Sequence, residues 1–219
     1  NSLFNCTGNE NTAIGMNNME SNTTGAQNTS VGASALDANT TGTNNVAVGH
    51  DALTALTTNS YCTAVGDYAL ANNTSQYMAA FGAQALGDNT TGTQSTALGF
   101  RALRLNTTGN RNTAVGYDAL YTNTTGHYNT AVGNYALRLN TADYNCAVGD
   151  YALAANTTGQ QNTAIGGGGP LSANTTGNYN TAVGAAALDA NTTGIENTAI
   201  GYHALSAAQT NANTAVGYE

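Results

Sequence analysis

The chain has 219 residues, a formal net charge of −8 and only four basic side chains, all arginine, with 7% of residues charged and no tryptophan. Such a balance excludes the basic footprint that nucleic-acid binding needs, and no apolar run approaches the length of a membrane-spanning helix. Asn, Thr, Ala and Gly dominate, so the chain can fill a core a few side chains thin but not the wide core of an ordinary domain.

One unit repeats along the chain. Its marker is the glycine that ends an Ala-Val-Gly word, at Gly15, Gly32, Gly49, Gly66, Gly82, Gly99, Gly116, Gly133, Gly149, Gly166, Gly184, Gly201 and Gly217. The step is seventeen residues, with three steps of sixteen and one of eighteen. Internal periodicity of this length signals a solenoid or other stacked array.

The residue before each glycine is always apolar, from Ile14 and Val31 to Val216. Two before the glycine stands alanine in every copy except Ser30. Three before it stands Thr, or Val46, Ala79 or Cys146. Alternation across a strand puts Thr and Val on one face and Ala on the other. Because the Thr replacements suit a small buried slot, this reading sends Thr and Val inward and Ala outward. Four residues after the glycine comes Leu, preceded by Ala, as in Ala52-Leu53 and Ala119-Leu120, which reads as a second short strand.

The word Asn-Thr-Thr-Gly closes each unit as a turn. Its glycine (Gly25, Gly42, Gly92 and equivalents) is expected at positive φ, with Asn59 tolerated in one copy. The sixteen-residue steps end at Gly82, Gly149 and Gly217, in the copies that show Ser75, Ala142 or Thr210 instead of that glycine. The pairs between words, such as His50-Asp51, Phe100-Arg101 and Tyr117-Asp118, vary and read as a solvent-facing rim.

One copy cannot fold alone. Burying a Val and a Leu contributes about 2 kcal/mol each, whereas ordering each residue's backbone costs about 1–2 kcal/mol. Stacking completes the backbone ladder and covers each turn's apolar residues. The fold expected is therefore all-β: a parallel β-solenoid or β-roll of about thirteen 17-residue turns, a single elongated array over 1–219 without a second domain. At a strand spacing of about 4.8 Å it would run about 60 Å. An outward alanine row predicts lateral association, most simply a homotrimer. The period also survives when Asn1 is placed after Glu219, which predicts either an excerpt of a longer fibre protein or head-to-tail stacking into a fibre.

The words NTAVGYDAL, NTAVGNYAL and NTAIGYHAL resemble the head repeats of trimeric autotransporter adhesins and similar arrays in phage tail-fibre proteins. The resemblance spans essentially the whole chain. It implies a trimeric, left-handed parallel β-roll displayed outside the cell, at a cell or virion surface, without enzymatic activity. The unit here is longer than the usual head repeat by its Asn-Thr-Thr-Gly turn, and no neck, stalk or anchor is seen in these residues.

Asn22, Asn39, Asn89, Asn106, Asn123, Asn156, Asn174 and Asn191 each begin an N-glycosylation sequon, and are candidate glycan acceptors. The competing reading, weighted above it, is an asparagine ladder capping the turns. His50, His127 and His203 fall in separate turns, and Asp51, Asp67, Asp118 and Asp150 show no calcium-repeat pattern, so no metal site or cofactor is expected. Gly166 to Pro170 lacks the Lys-Ser/Thr of a phosphate loop and coincides with the eighteen-residue step, which reads as a bulge. Cys6, Cys62 and Cys146 sit in Asn or Thr slots, and their disulfide state stays open.

No catalytic constellation is present, so the chain is read as a non-enzymatic extracellular structural protein, the subunit of a fibre. The alternative is an adhesin or tail-fibre segment that binds a host-surface glycan or protein through rim residues Arg101, Arg111, Tyr117, Tyr128 and Tyr135. An ice-binding solenoid ranks behind both, since Thr40 and Thr41 are adjacent and would point to opposite sides.

Overall fold

The computed structural model describes residues 6–207 and 210–218. The proposed junction of Glu219 with Asn1 lies outside the described residues. The chain is an all-β parallel β-solenoid with one three-residue strand per turn and, among the described residues, no helix. It divides into two compact units, Asn1–Asn110 and Arg111–Glu219. The first holds β1 (Thr12–Ile14), β2 (Thr29–Val31), β3 (Val46–Val48), β4 (Thr63–Val65), β5 (Ala79–Phe81) and β6 (Thr96–Leu98). The second holds β7 (Thr113–Val115), β8 (Thr130–Val132), β9 (Cys146–Val148), β10 (Thr163–Ile165), β11 (Thr181–Val183), β12 (Thr198–Ile200) and β13 (Thr214–Val216).

Within each unit successive strands pair in parallel with like residues in register. Thr29 lies beside Val46 and Val31 beside Val48 in the first, and Thr113 beside Thr130 and Val115 beside Val132 in the second. The shortened turns keep register, as Val65 beside Phe81 shows. So does the eighteen-residue step, where Ile165 pairs Val183. The extra residue is absorbed at Gly168 and Gly169, both left-handed (φ 66° and 70°).

The faces are the reverse of the sequence expectation. The central alanine of the strand (Ala47, Ala64, Ala114, Ala131) is wholly buried, while the flanking Thr and Val positions are half-buried or exposed. The interior explains the inversion. Leu53, Leu70, Leu120 and their equivalents fill it from the opposite wall, together with buried asparagines, so that only a methyl group fits beneath the strand. The outward alanine row does not exist, and the homotrimer argument built on it loses that support.

The second word is not a strand. After the strand, residues two and four past the glycine are left-handed: Asp51 (φ 52°) and Leu53 (φ 53°), Asp118 (φ 51°) and Leu120 (φ 55°). Each left-handed non-glycine residue costs about 1–2 kcal/mol. Hydrogen bonds to both neighbouring turns offset that cost: Asp51 N–H donates to the Ala33 carbonyl and Leu53 N–H to the Ala69 carbonyl, both at 3.1 Å. This backbone turns Ala52 and Leu53 inward together.

Positive φ in glycine occurs at the end of the strand (Gly116, φ 131°), not in the Asn-Thr-Thr-Gly turn as expected; Gly25, Gly42 and Asn59 are not left-handed. The turn glycines are required by close approach. A Cβ on Gly177 would lie 2.3 Å from the Gly194 carbonyl oxygen and 2.4 Å from Asn174 Oδ1.

Candidate interaction surfaces

The repeated asparagines form two columns inside each unit. In the first column Asn39 Nδ2 donates to Asn22 Oδ1 at 2.8 Å, and Asn106 Nδ2 to Asn89 Oδ1 at 2.7 Å. In the second unit Asn156, Asn174 and Asn191 continue the pattern, each Nδ2 also reaching the carbonyl of its own turn's glycine. In the second column the side-chain oxygen accepts a backbone N–H from the next turn, as Asn28 Oδ1 does from Asn45 N at 2.9 Å. All eight sequon asparagines are fully buried. The nitrogen that a glycan would need is enclosed, and the geometry is that of the asparagine ladder.

Leu56 interrupts the first column, and Asn39 Oδ1 is left buried without a hydrogen-bond partner. Cys62 occupies the second column, where its N–H donates to Asn45 Oδ1 at 3.0 Å. Burial pushes its thiol pKa up to about 11. All three cysteines are free. The Cys146 thiol, in the outward Thr row of β9, is also raised by desolvation.

With alanine inside, the outer sheet face carries two rows, Thr and Val. In the second unit these are Thr113, Thr130, Cys146, Thr163, Thr181, Thr198 and Thr214, beside Val115, Val132, Val148, Ile165, Val183, Ile200 and Val216. None of the thirteen strands contains a charged residue. Ile165 and Ile200 are about 40% exposed. The face is uncharged and mostly β-branched, and sequence reasoning missed it because it assigned the same side chains to the interior.

The five rim residues fall into separate groups. Tyr117, Tyr135 and Tyr151 lie just after the strand and form one ladder, with centroids 5.4 and 4.9 Å apart. Tyr128 and Tyr144 lie just before it and stack at 4.9 Å with planes 4° apart. Arg111 sits over the Tyr128 ring and hydrogen-bonds its hydroxyl. Arg101 belongs to the first unit, over Phe100 at 4.9 Å. In the second unit the predicted rim is thus two tyrosine ladders at opposite ends of the strand.

His50 approaches Asp67 (3.3 Å) and Asp51 (3.5 Å) and meets Tyr68 edge-on. Asp118 is buried, with Arg138 Nε 3.9 Å from its carboxylate. Among the described residues no group of three His, Cys, Asp or Glu converges as metal ligands, and no helix is long and apolar enough to cross a membrane. Searches of protein-family profiles, curated proteins and solved structures return no match to this chain.

Proposed function

We propose that the chain is a non-enzymatic structural subunit of an extracellular fibre that associates laterally with copies of itself. The observation that carries this reading is the outward Thr/Val face. Contiguous exposed apolar rows without charge are uncommon on isolated proteins and mark contact surfaces. A second copy offers rows with the same repeat of about 4.8 Å, so every outward Val meets a partner at matching spacing. A homotrimer would bring three such faces together, and end-on stacking would continue the same ladder into a fibre.

Sedimentation equilibrium and negative-stain imaging test it, with the double variant Val132→Lys/Ile165→Lys as the control. The wild-type chain is expected to form oligomers or rods, and the variant to be monomeric with an unchanged circular-dichroism spectrum. A wild-type chain that stays monomeric at high concentration contradicts the proposal. If that monomer shaped growing ice, the regular Thr/Val array would instead be an ice-binding face.

The exposed tyrosine ladders favour a second reading, an adhesin or tail-fibre segment displayed on a cell or virion surface. Stacked aromatic rings offer sequence-tolerant platforms for sugars or protein loops. Host-surface binding abolished by Tyr128→Ala and Tyr144→Ala supports it, and binding that survives both ends it.

A further inference from the structure

Past the strand, the first unit carries three rows of side chains across successive turns. Two residues after the glycine stand Asp51, Tyr68 and Gln84; five after it, Ala71 and Gly87; six after it, Asn72 and Asp88. These rows enclose a trough of about 490 Å³. The floor is low because its residues are small. At Gly87 an added Cβ would come within 3.3 Å of the Gln84 carbonyl oxygen and 3.4 Å of Arg104 Cδ, so glycine keeps the floor open.

Arg104 closes one end and ties the two walls. Its guanidinium pairs with Asp88 on one side, and Nε donates to Gln84 Oε1 at 3.3 Å on the other. Asn72 Nδ2 donates to Asp88 Oδ1 at 3.2 Å. The charge of the nearby Asp51 carboxylate raises the Tyr68 hydroxyl pKa, and Tyr68 remains 42% exposed. Its ring is held edge-on by His50, centroids 5.2 Å apart.

We propose that this trough binds a neutral saccharide. The tyrosine ring offers an apolar face for sugar C–H groups. Asn72, Gln84, Asp88 and Arg104 are planar groups able to donate to, or accept from, adjacent hydroxyls. Their mutual hydrogen bonds fix them in advance, which lowers the ordering cost of binding. The volume lies within the range of small-ligand sites, about 300–1,000 Å³. Three turns at about 4.8 Å give a length of about 10 Å, matching a disaccharide.

Charge selects among sugars. Two carboxylates, Asp51 and Asp88, face one guanidinium, Arg104, leaving a negative trough that disfavours acidic sugars and phosphates. In the second unit the same row begins with the long side chains Tyr121 and Arg138. The inference goes beyond self-association and does not depend on it.

Calorimetric titration of the full chain with lactose, cellobiose, N,N′-diacetylchitobiose and 3′-sialyllactose tests it, alongside Tyr68→Ala and Gly87→Gln. At least one neutral disaccharide should bind saturably, one per chain, with affinity falling at least about tenfold in each folded variant. Melting curves verify folding, and Asp51→Asn replaces any variant that does not fold. Absence of saturable binding by all three neutral sugars, preference for the sialylated one, or binding unchanged in the folded variants overturns the proposal.

Discussion

Ser30 occupies the slot that alanine holds in the other copies, and its Oγ donates to the Ala35 carbonyl at 3.0 Å. The two residues face each other across the interior of one turn, which is therefore one small side chain deep at this point. Ala114→Val should overpack the corresponding slot and destabilise the chain by about 1–3 kcal/mol. Ala114→Ser, whose hydroxyl would meet the Ala119 carbonyl, should stay within about 1 kcal/mol of wild type. Urea denaturation of the two variants measures both values.

Leu56 and Asn156 occupy equivalent places in the first asparagine column, one breaking it and one completing it. Asn156 Nδ2 donates to Asn140 Oδ1 at 2.7 Å and to the Gly159 carbonyl at 2.8 Å, and Asn174 Nδ2 donates to Asn156 Oδ1 at 2.7 Å. Asn156→Leu should cost about 2–4 kcal/mol, because buried partners lose their bonds. Leu56→Asn should be neutral or stabilising by about 1 kcal/mol, since it supplies a donor to the orphaned Asn39 Oδ1. Thermal melts should show a lowered midpoint for Asn156→Leu and an unchanged or raised one for Leu56→Asn; a lowered midpoint for Leu56→Asn contradicts the column geometry.

Cys62 gives the fold a pH signature. Burial raises its thiol from an ordinary value of 9.0 to about 11. The unfolded chain therefore loses its proton first as pH rises, so stability falls between pH 9 and 11 and is intact below that window. Two pK units correspond to about 2.7 kcal/mol as an upper bound. Wild type and Cys62→Ser, compared across this range, should diverge in slope, the variant being flatter. Native Cys62 should also resist alkylation at neutral pH, because its thiolate is scarce and enclosed.

Much of this architecture is legible in the sequence. The glycine spacing sets the turn, the Leu word marks the core, and the Asn-Thr-Thr-Gly word reads as a ladder. Thr-Ala-Val alternation also separates two faces, but it does not say which is inside. Side-chain size pointed the wrong way, because a core already filled by Leu53 and its equivalents admits only Ala47 or Ala64 beneath the strand. The left-handed backbone at Leu53, Tyr68 and Asp118 was hidden for a different reason. Their intrinsic preferences oppose it, and only hydrogen bonds to neighbouring turns make it stable. The trough depends on Ala71 and Gly87 falling in one row between longer side chains, a relation that appears only once the turns are stacked.

The central claim, in-register turns with alanine inside and Thr/Val outside, is tested most directly by thiol labelling in a background with Cys6, Cys62 and Cys146 replaced. Ala131→Cys and Val132→Cys are adjacent in β8, yet the first position is wholly buried and the second is not. The predicted result is rapid labelling at 132 in the monomeric chain and protection at 131 until the chain unfolds. Rapid labelling at 131 with protection at 132 would contradict the account.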